Sequence, residues 1–282
     1  MKTLSGIKKE LEFNRGLASL IDVLKNIAVS QYRALEEKVR LFEDFSLSVE
    51  SFLDFIDFNL VRHPFLQPAS KKGLVIAVTS DTGLLGGLNM QIIQAAVAQL
   101  EEGPGELIVI GQRGKVYARE AGVGFVGFPG IIDEQRYVQA MQVRDYTIKR
   151  FLSKGYGFLK IVFARPVSFT VQRIEVVPCL PFRPKPAVGQ AVDNGPKDII
   201  LESPLDDIVE YLLYLWLGQR LYEIFGLSRL AEFAARYVHL EESLQKLKEM
   251  DNKLRLTYFR VRHELIDRNM RELFSARILY AH

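Results

Sequence analysis

Apolar positions at the two ends of the chain recur in alternating steps of about three and four residues. At the N-terminal end the series is Ile7, Leu11, Leu17, Ile21, Leu24, Ala28, Tyr32, Leu35, Val39 and Phe42, which Asn14 interrupts without shifting its register. At the C-terminal end Tyr237, Leu240, Leu244, Leu247, Leu254, Tyr258, Val261 and Leu265 keep the same spacing. A mean step near 3.5 residues holds an apolar seam toward a partner helix in a left-handed supercoil. No proline falls within residues 1–63 or after Pro204, so nothing in the backbone chemistry breaks either helix. Two helices this far apart in sequence share one seam only if the chain folds back on itself. The pattern therefore predicts an antiparallel coiled coil built from residues 1–63 and 204–282.

Between the arms, over residues 73–203, the period changes. Gly73–Thr79 and Leu107–Ile110 are short β-branched apolar runs, each followed by a glycine turn and a helical pattern, over 89–101 and through Glu120. A helix near 132–153 precedes a strand at 159–163, and 171–178 adds another. Residues 181–196 are a Pro- and Gly-rich loop, and 199–201 adds a last short strand. Strands alternating with helices predict a small, mostly parallel Rossmann-like α/β domain with both faces of its sheet covered. The fold class is α/β, with the coiled coil of terminal helices as its second part.

Composition narrows the possibilities. A chain of 282 residues with 48% hydrophobic and 25% charged residues can bury a real core. A net charge of +3, with basic residues interspersed among Asp and Glu, argues against nucleic acid. The single cysteine, Cys179, excludes an intrachain disulfide and suits a reducing compartment. The N-terminus has no apolar signal core, and the most hydrophobic stretch, Tyr211–Leu217, is far short of a membrane span.

Three motifs suggest chemistry that their context withholds. Asp81-Thr82-Gly83 is the aspartic-protease tripeptide, but that reaction needs two carboxylates sharing a proton, and no second copy exists. Gly122–Gly127 spells a dinucleotide fingerprint, yet it follows a helix and ends near Pro129, so it reads as a strand. Ser80–Asn89 is glycine-rich between a strand and a helix, where a phosphate cradle would lie. It lacks the Lys-Ser/Thr pair of a P-loop and reads as a tight crossover. His63, His239, His263 and His282 are scattered, without metal spacing. No catalytic residue, cofactor site or metal site is expected.

Read together with the two arms, Ser80-Asp-Thr-Gly-Leu-Leu-Gly-Gly-Leu-Asn89 resembles the signature of the gamma subunit of F-type ATP synthases, with Leu85 where that family usually has Cys. Ser80, Asp81, Gly83, Gly86, Gly87 and Asn89 are the matching positions. Ile7, Leu11, the Leu24–Arg33 block, Leu107–Gly114, Glu202-Ser-Pro204, Leu221-Tyr222, Ala234-Ala-Arg236 and the run from Tyr258 to Leu273 extend the resemblance over essentially the whole chain. Departures fall at Gly16–Ile21, at Gln31 for a family Lys, at His263, at Asp267 for a family Thr and at Ala276–Leu279. The chain resembles a divergent member, such as one from an alternate F-type ATPase.

The resemblance implies a central-stalk rotor subunit that couples ion flow through the membrane c ring to conformational change at catalytic sites on β subunits, while hydrolysing nothing itself. Implied partners are the α and β subunits of the hexamer, the epsilon subunit and the c ring. The membrane would be met only through those partners, on the cytoplasmic face of the inner or plasma membrane. Carried over by position, Leu24, Ile27, Ser30 and Gln31 would lie near a β subunit, Arg262, His263 and Asp267 would meet its catching loop, and Phe274 and Ile278 would form an apolar bearing. Glu202 would lie on the foot, facing epsilon and the c ring. Exposed helix residues without a partner are the plain alternative for each. Two other readings of the whole chain remain open, a soluble coiled-coil scaffold and a nucleotide-binding α/β protein.

Overall fold

The computed structural model describes residues 3–40, 61–67, 70–101, 103, 105–183 and 203–279. The two repeat-bearing ends are helical: α1 spans Leu4–Arg40, and the final helix runs unbroken over 75 residues, Leu205–Leu279. Between them lie β1 (Gly73–Val78), α2 (Leu88–Glu101), β2 (Gly105–Ile110), α3 (Gln112–Glu120), β3 (Phe125–Phe128), α4 (Arg136–Lys154), β4 (Phe158–Pro166) and β5 (Gln172–Leu180). The final helix is α5. Phe42, the rest of the first arm to residue 60, most of the 181–196 loop and the strand expected at 199–201 lie outside the described residues.

The five strands form one sheet in the order β3-β2-β1-β4-β5. β1 pairs in parallel with β2 and β4, β2 pairs in parallel with β3, and β5 closes the far edge antiparallel to β4. The glycine-bearing run at 122–127 thus supplies a strand, as its apolar character predicts. All six residues of β1 are buried, which is why its sequence is a continuous apolar run without alternation. Leu74, Ile76 and Val78 point into one core with Val143, Phe151, Leu213, Leu217 and Phe225 of α4 and α5. Val75 and Ala77 point the other way, into a core with Ile92, Ile93 and Ala96 of α2, Ala118 of α3 and Ala231 of α5.

The chain divides into two compact units, Met1–Ala28 with Tyr237–His282, and Val29–Arg236. The division falls inside the long helices, so their inner halves belong with the sheet. In the first unit the seam follows the predicted spacing through Leu247, whereas Leu265, predicted as a further seam position, is 45% exposed. Ile21, Leu240, Leu244 and Leu247 are buried together, flanked by Leu17, Ala18 and Leu24. Lys25 pairs with Glu241 and lies 5.7 Å from the Tyr237 ring centroid, while the earlier Asn14 lies by the later Leu247 and Asp251, so the two helices run antiparallel. The interruption at Asn14 lines a cavity of about 340 Å³ with Arg15, Leu247 and Asp251. There Arg255 Nε donates 2.9 Å to Asp251 Oδ2, while Oδ1 is buried without a partner. A polar layer of this kind fixes the register of a coiled coil at a cost in stability.

In the second unit α4 is held to α5 by a twice-repeated device. Arg144 stacks 3.6 Å from the Tyr214 ring centroid, and Arg136 stacks 4.4 Å from that of Tyr222. Gly218 and Gly226 leave the notches in which these arginines lie: a Cβ there would stand 2.9 Å from Arg144 Nη1 and 3.1 Å from Arg136 Nη1. Cys179 sits in the same core, and burial pushes its thiol up to about 12.

Glu106, at the start of β2, anchors the last turns of α4. Arg150 donates Nε at 3.0 Å to its Oε1 and Nη2 at 2.7 Å to its Oε2, and the Tyr156 hydroxyl donates to Oε2 at 3.0 Å. Above all through the Arg150 hydrogen bonds, its carboxyl titrates below the ordinary 4.5. A depressed folded-state value means that the unfolded chain binds more protons, so the group stabilises the fold above about pH 4.5 and loses that contribution as pH falls through the folded value. Glu106→Gln is therefore expected to unfold at lower temperature than the parent at pH 7. The gap should close as pH is lowered through the carboxylate range, as read by circular dichroism melts at several pH values.

Candidate functional site

Two regions compete as the functional site: the Ser80–Asn89 loop and the exposed faces of the long helices. The loop follows β1 directly, and its polar groups satisfy one another. Asn89 accepts from the Ser80 amide at 3.1 Å and donates Nδ2 to Ser80 Oγ at 2.8 Å, while that hydroxyl donates to the Thr82 carbonyl at 2.7 Å. Asp81 Oδ1 accepts from the Gln112 amide at the start of α3, at 2.8 Å, and from the Gly130 amide at 3.1 Å. A helix N-terminus is where an incoming anion would bind; here the chain's own carboxylate has taken the position. Leu84 and Gly86 adopt left-handed backbone, at φ 65° and 60°. Gly83 leaves room for Arg113, whose Nη2 would lie 2.9 Å from a Cβ at that position. Gly87 makes no approach closer than 3.6 Å. The loop is a locked crossover with no free phosphate cradle.

The loop is also tied to α5. Arg236 Nη2 donates to Thr82 Oγ1 at 2.6 Å and to Glu232 Oε1 at 2.6 Å, and Thr82 Oγ1 donates to the same carboxylate oxygen at 3.2 Å. Arg229 holds the other oxygen of Glu232 and pairs through Nε and Nη2 with Asp133, at 3.0 and 3.2 Å, just ahead of α4. Glu232 therefore sits beyond the carboxyl end of β1, where a doubly wound sheet ordinarily opens its ligand crevice. Sequence reasoning missed this group, because Thr82, Asp133 and residues 229–236 meet only through the fold. The i, i+3, i+7 spacing of Arg229, Glu232 and Arg236 was its one visible sign.

The helix positions expected to meet partners are mostly open to solvent. Ile27, Ser30, Gln31, Arg262, His263, Asp267 and Phe274 are exposed. Leu24 is half-buried in the seam beside Ile21 and Leu240, so it faces the partner helix first. Ile278 lies in the last turn of α5, and Glu202 lies outside the described residues. The structure adds two apolar stripes that the seam analysis passed over. On α1, Phe13, Gly16, Leu20, Val23 and Ile27 repeat at steps of three and four residues, with Phe13 70% exposed. On α5, Leu256, Phe259, His263, Ile266, Met270 and Leu273 do the same, with Leu256 70% exposed. Heptad-spaced apolar faces left in water are the kind of surface through which proteins ordinarily meet partners. A search of the sequence for a second heptad phase would have found both.

Among the described residues no group of three or more His, Cys, Asp or Glu side chains is placed to hold a metal ion, and no helix is long and apolar enough to cross a membrane. A family model described as ATP synthase matches residues 3–277. The chain is similar to the ATP synthase gamma chain of Pelotomaculum thermopropionicum, 23% identical over 279 residues that cover 97% of each chain. It is likewise similar to the ATP synthase gamma chain of Bdellovibrio bacteriovorus, 25% identical over 98% of each. In fold it is similar to a chain of the Euglena gracilis mitochondrial ATP synthase, solved with OSCP, F1 and c ring. The TM-score is 0.69 at 15% identity, covering 98% of this chain and 93% of that one.

Proposed function

Because this chain belongs to the ATP synthase family and its curated relatives are gamma chains, we propose that it is the central rotor shaft of a rotary ATP synthase and carries no catalytic group of its own. It couples ion flow through the membrane c ring to conformational change at the β subunits of a surrounding α/β hexamer. The complex is membrane-associated, and this subunit lies at the cytoplasmic face, reaching the bilayer only through its partners.

The mechanism is linkage. Three chemically identical sites acquire different nucleotide affinities only if each meets a different surface, since an equilibrium shifts only through differential interaction. An antiparallel helix pair inside a threefold ring is asymmetric by construction. One β subunit meets the α1 stripe around Ile27, Ser30 and Gln31, with Leu24 behind it in the seam. Another meets Arg262, His263 and Asp267, and the tip carrying Phe274 and Ile278 turns in an apolar sleeve. Turning the shaft by a third of a revolution exchanges these roles. Glu202 belongs to the foot that meets epsilon and the c ring. The departures at Gln31, His263 and Asp267 alter contact chemistry with β, which fits a divergent, alternate form of the complex.

The observation that carries this reading is the pair of solvent-exposed heptad stripes on a helix pair whose own seam is already filled. The test is co-expression with candidate α and β subunits, followed by size-exclusion chromatography and an ATPase assay. The expected result is a complex of three α, three β and one copy of this chain with ATPase activity. Replacing Leu256, Phe259, Ile266 and Met270 together by serine should weaken binding to the hexamer by about a thousandfold, since four docked apolar side chains are worth about 1 kcal/mol each. A wild-type chain that elutes alone beside a competent α/β hexamer would sink the rotor reading.

A further inference from the structure

Glu232 is 5% exposed, and it is the centre of a charge cluster that the rotor reading does not use. It lies between Arg229, at 2.5 Å from its Oε2, and Arg236, at 2.6 Å from its Oε1. Both arginines also reach the body of the α/β unit, Arg229 to Asp133 and Arg236 to Thr82. The Phe233 ring lies beneath them, 4.5 Å from the Arg229 guanidinium and 5.8 Å from that of Arg236. Residues 229, 232, 233 and 236 share one face of α5. Their two anchors stand on separate loops, one after β1 and one before α4.

Apolar packing is non-directional: it opposes pulling a helix away more than turning it about its own axis. Charge-assisted hydrogen bonds are directional, and a buried set is little screened by salt. The last residue of the sheet-bearing unit is Arg236, and α5 continues from there to Leu279 in the other unit. A twist applied along that length reaches this cluster where α5 enters the sheet-bearing unit. We propose that Thr82, Asp133, Arg229, Glu232 and Arg236 form an azimuthal lock, fixing the rotation of α5 about its axis relative to the sheet, so that torque passes between them without slip. These are positioning residues. The inference rests on the rotor reading and assigns it a specific load path.

The experiment compares ATP hydrolysis with ATP-driven ion uptake in vesicles containing the whole complex, so that the readout is the ratio of ions moved to ATP hydrolysed. Glu232→Gln and Thr82→Val are expected to lower that ratio by about threefold while the hydrolysis rate changes little, in keeping with the size of coupling effects along such networks. Thr82→Ser keeps the hydroxyl and should keep the wild-type ratio. Thr82→Val is close to isosteric, which guards the test against a Glu232 variant that fails to fold. If both variants leave the ratio unchanged, or lower hydrolysis and uptake in proportion, the lock is overturned while the rotor reading stands. If the wild-type chain supports no ATP-driven uptake, both fall.

Discussion

Gly111→Ala is expected to unfold the α/β unit at room temperature or leave it barely stable. Gly111 follows β2 and caps α3 with φ 98° and ψ 144°, a region that only glycine occupies freely, so any side chain there costs about 1–3 kcal/mol in backbone strain alone. A Cβ would also stand 2.4 Å from the Thr79 carbonyl oxygen, 2.7 Å from its carbon and 2.8 Å from the Ser80 carbonyl oxygen. All three contacts are main chain of the neighbouring strand end and cannot swing aside, which adds about 1–3 kcal/mol of overpacking. Together these come to about 2–6 kcal/mol, which reaches the lower end of the 5–15 kcal/mol that a whole domain ordinarily has. Urea unfolding followed by circular dichroism measures the loss. Gly122→Ala is the matched control: its φ is 69°, but nothing lies within 4 Å of a Cβ there, so only about 1–2 kcal/mol is expected. Equal losses at the two sites would show that the strand-end contact is not what limits position 111.

Leu244→Asp should be as damaging to the helix-pair unit and far milder to the sheet. Leu244 is 3% exposed and shares a small buried cluster of the seam with Ile21, Leu240 and Leu247. So small a core has no slack. Losing the leucine costs about 2–5 kcal/mol, and an unpaired carboxylate in its place costs several more unless the helices part to admit water. Parting is the expected response. Amide exchange should rise sharply over residues 10–28 and 240–260, while β1, β2 and β4 keep their protection. In the assembled complex the same change softens the shaft. Exchange rising equally in the strands would mean that the two units unfold as one.

The two substitutions also separate what the sequence discloses from what it hides. Leu244 is visible as a seam residue because a helix repeats every 3.6 residues whatever surrounds it, and the repeat survives even the polar break at Asn14. β1 announces itself similarly, since a strand buried on both faces has no polar positions. Gly111 is harder. It sits in a Gly-Gln-Arg-Gly turn that reads as a turn, but nothing local says that Thr79 will lie against it. The same holds for the Ser80–Asn89 loop, where glycines suggest close packing; the packing that matters is the Ser80–Asn89 and Asp81 hydrogen bonding, with the tightest backbone approach supplied by Gly111 from another segment. Arg229 and Glu232 look like a surface pair on a helix, and their burial depends on Thr82 and Asp133, which only the fold brings near. Local periodicity is legible, whereas contacts between distant segments are not.

Cys179 has a practical consequence. It is the only cysteine among 282 residues, it is 1% exposed in the sheet core, and its thiol is pushed up to about 12. The thiolate is the reactive form, so in the native protein this sulfur is nearly inert toward maleimides and related reagents. A thiol placed by substitution on an exposed helix position of the sheet-bearing unit, such as Val138, would be the one that takes a fluorophore or a bead tether. The chain is thus ready for single-molecule observation of its motion without any prior removal of a native cysteine.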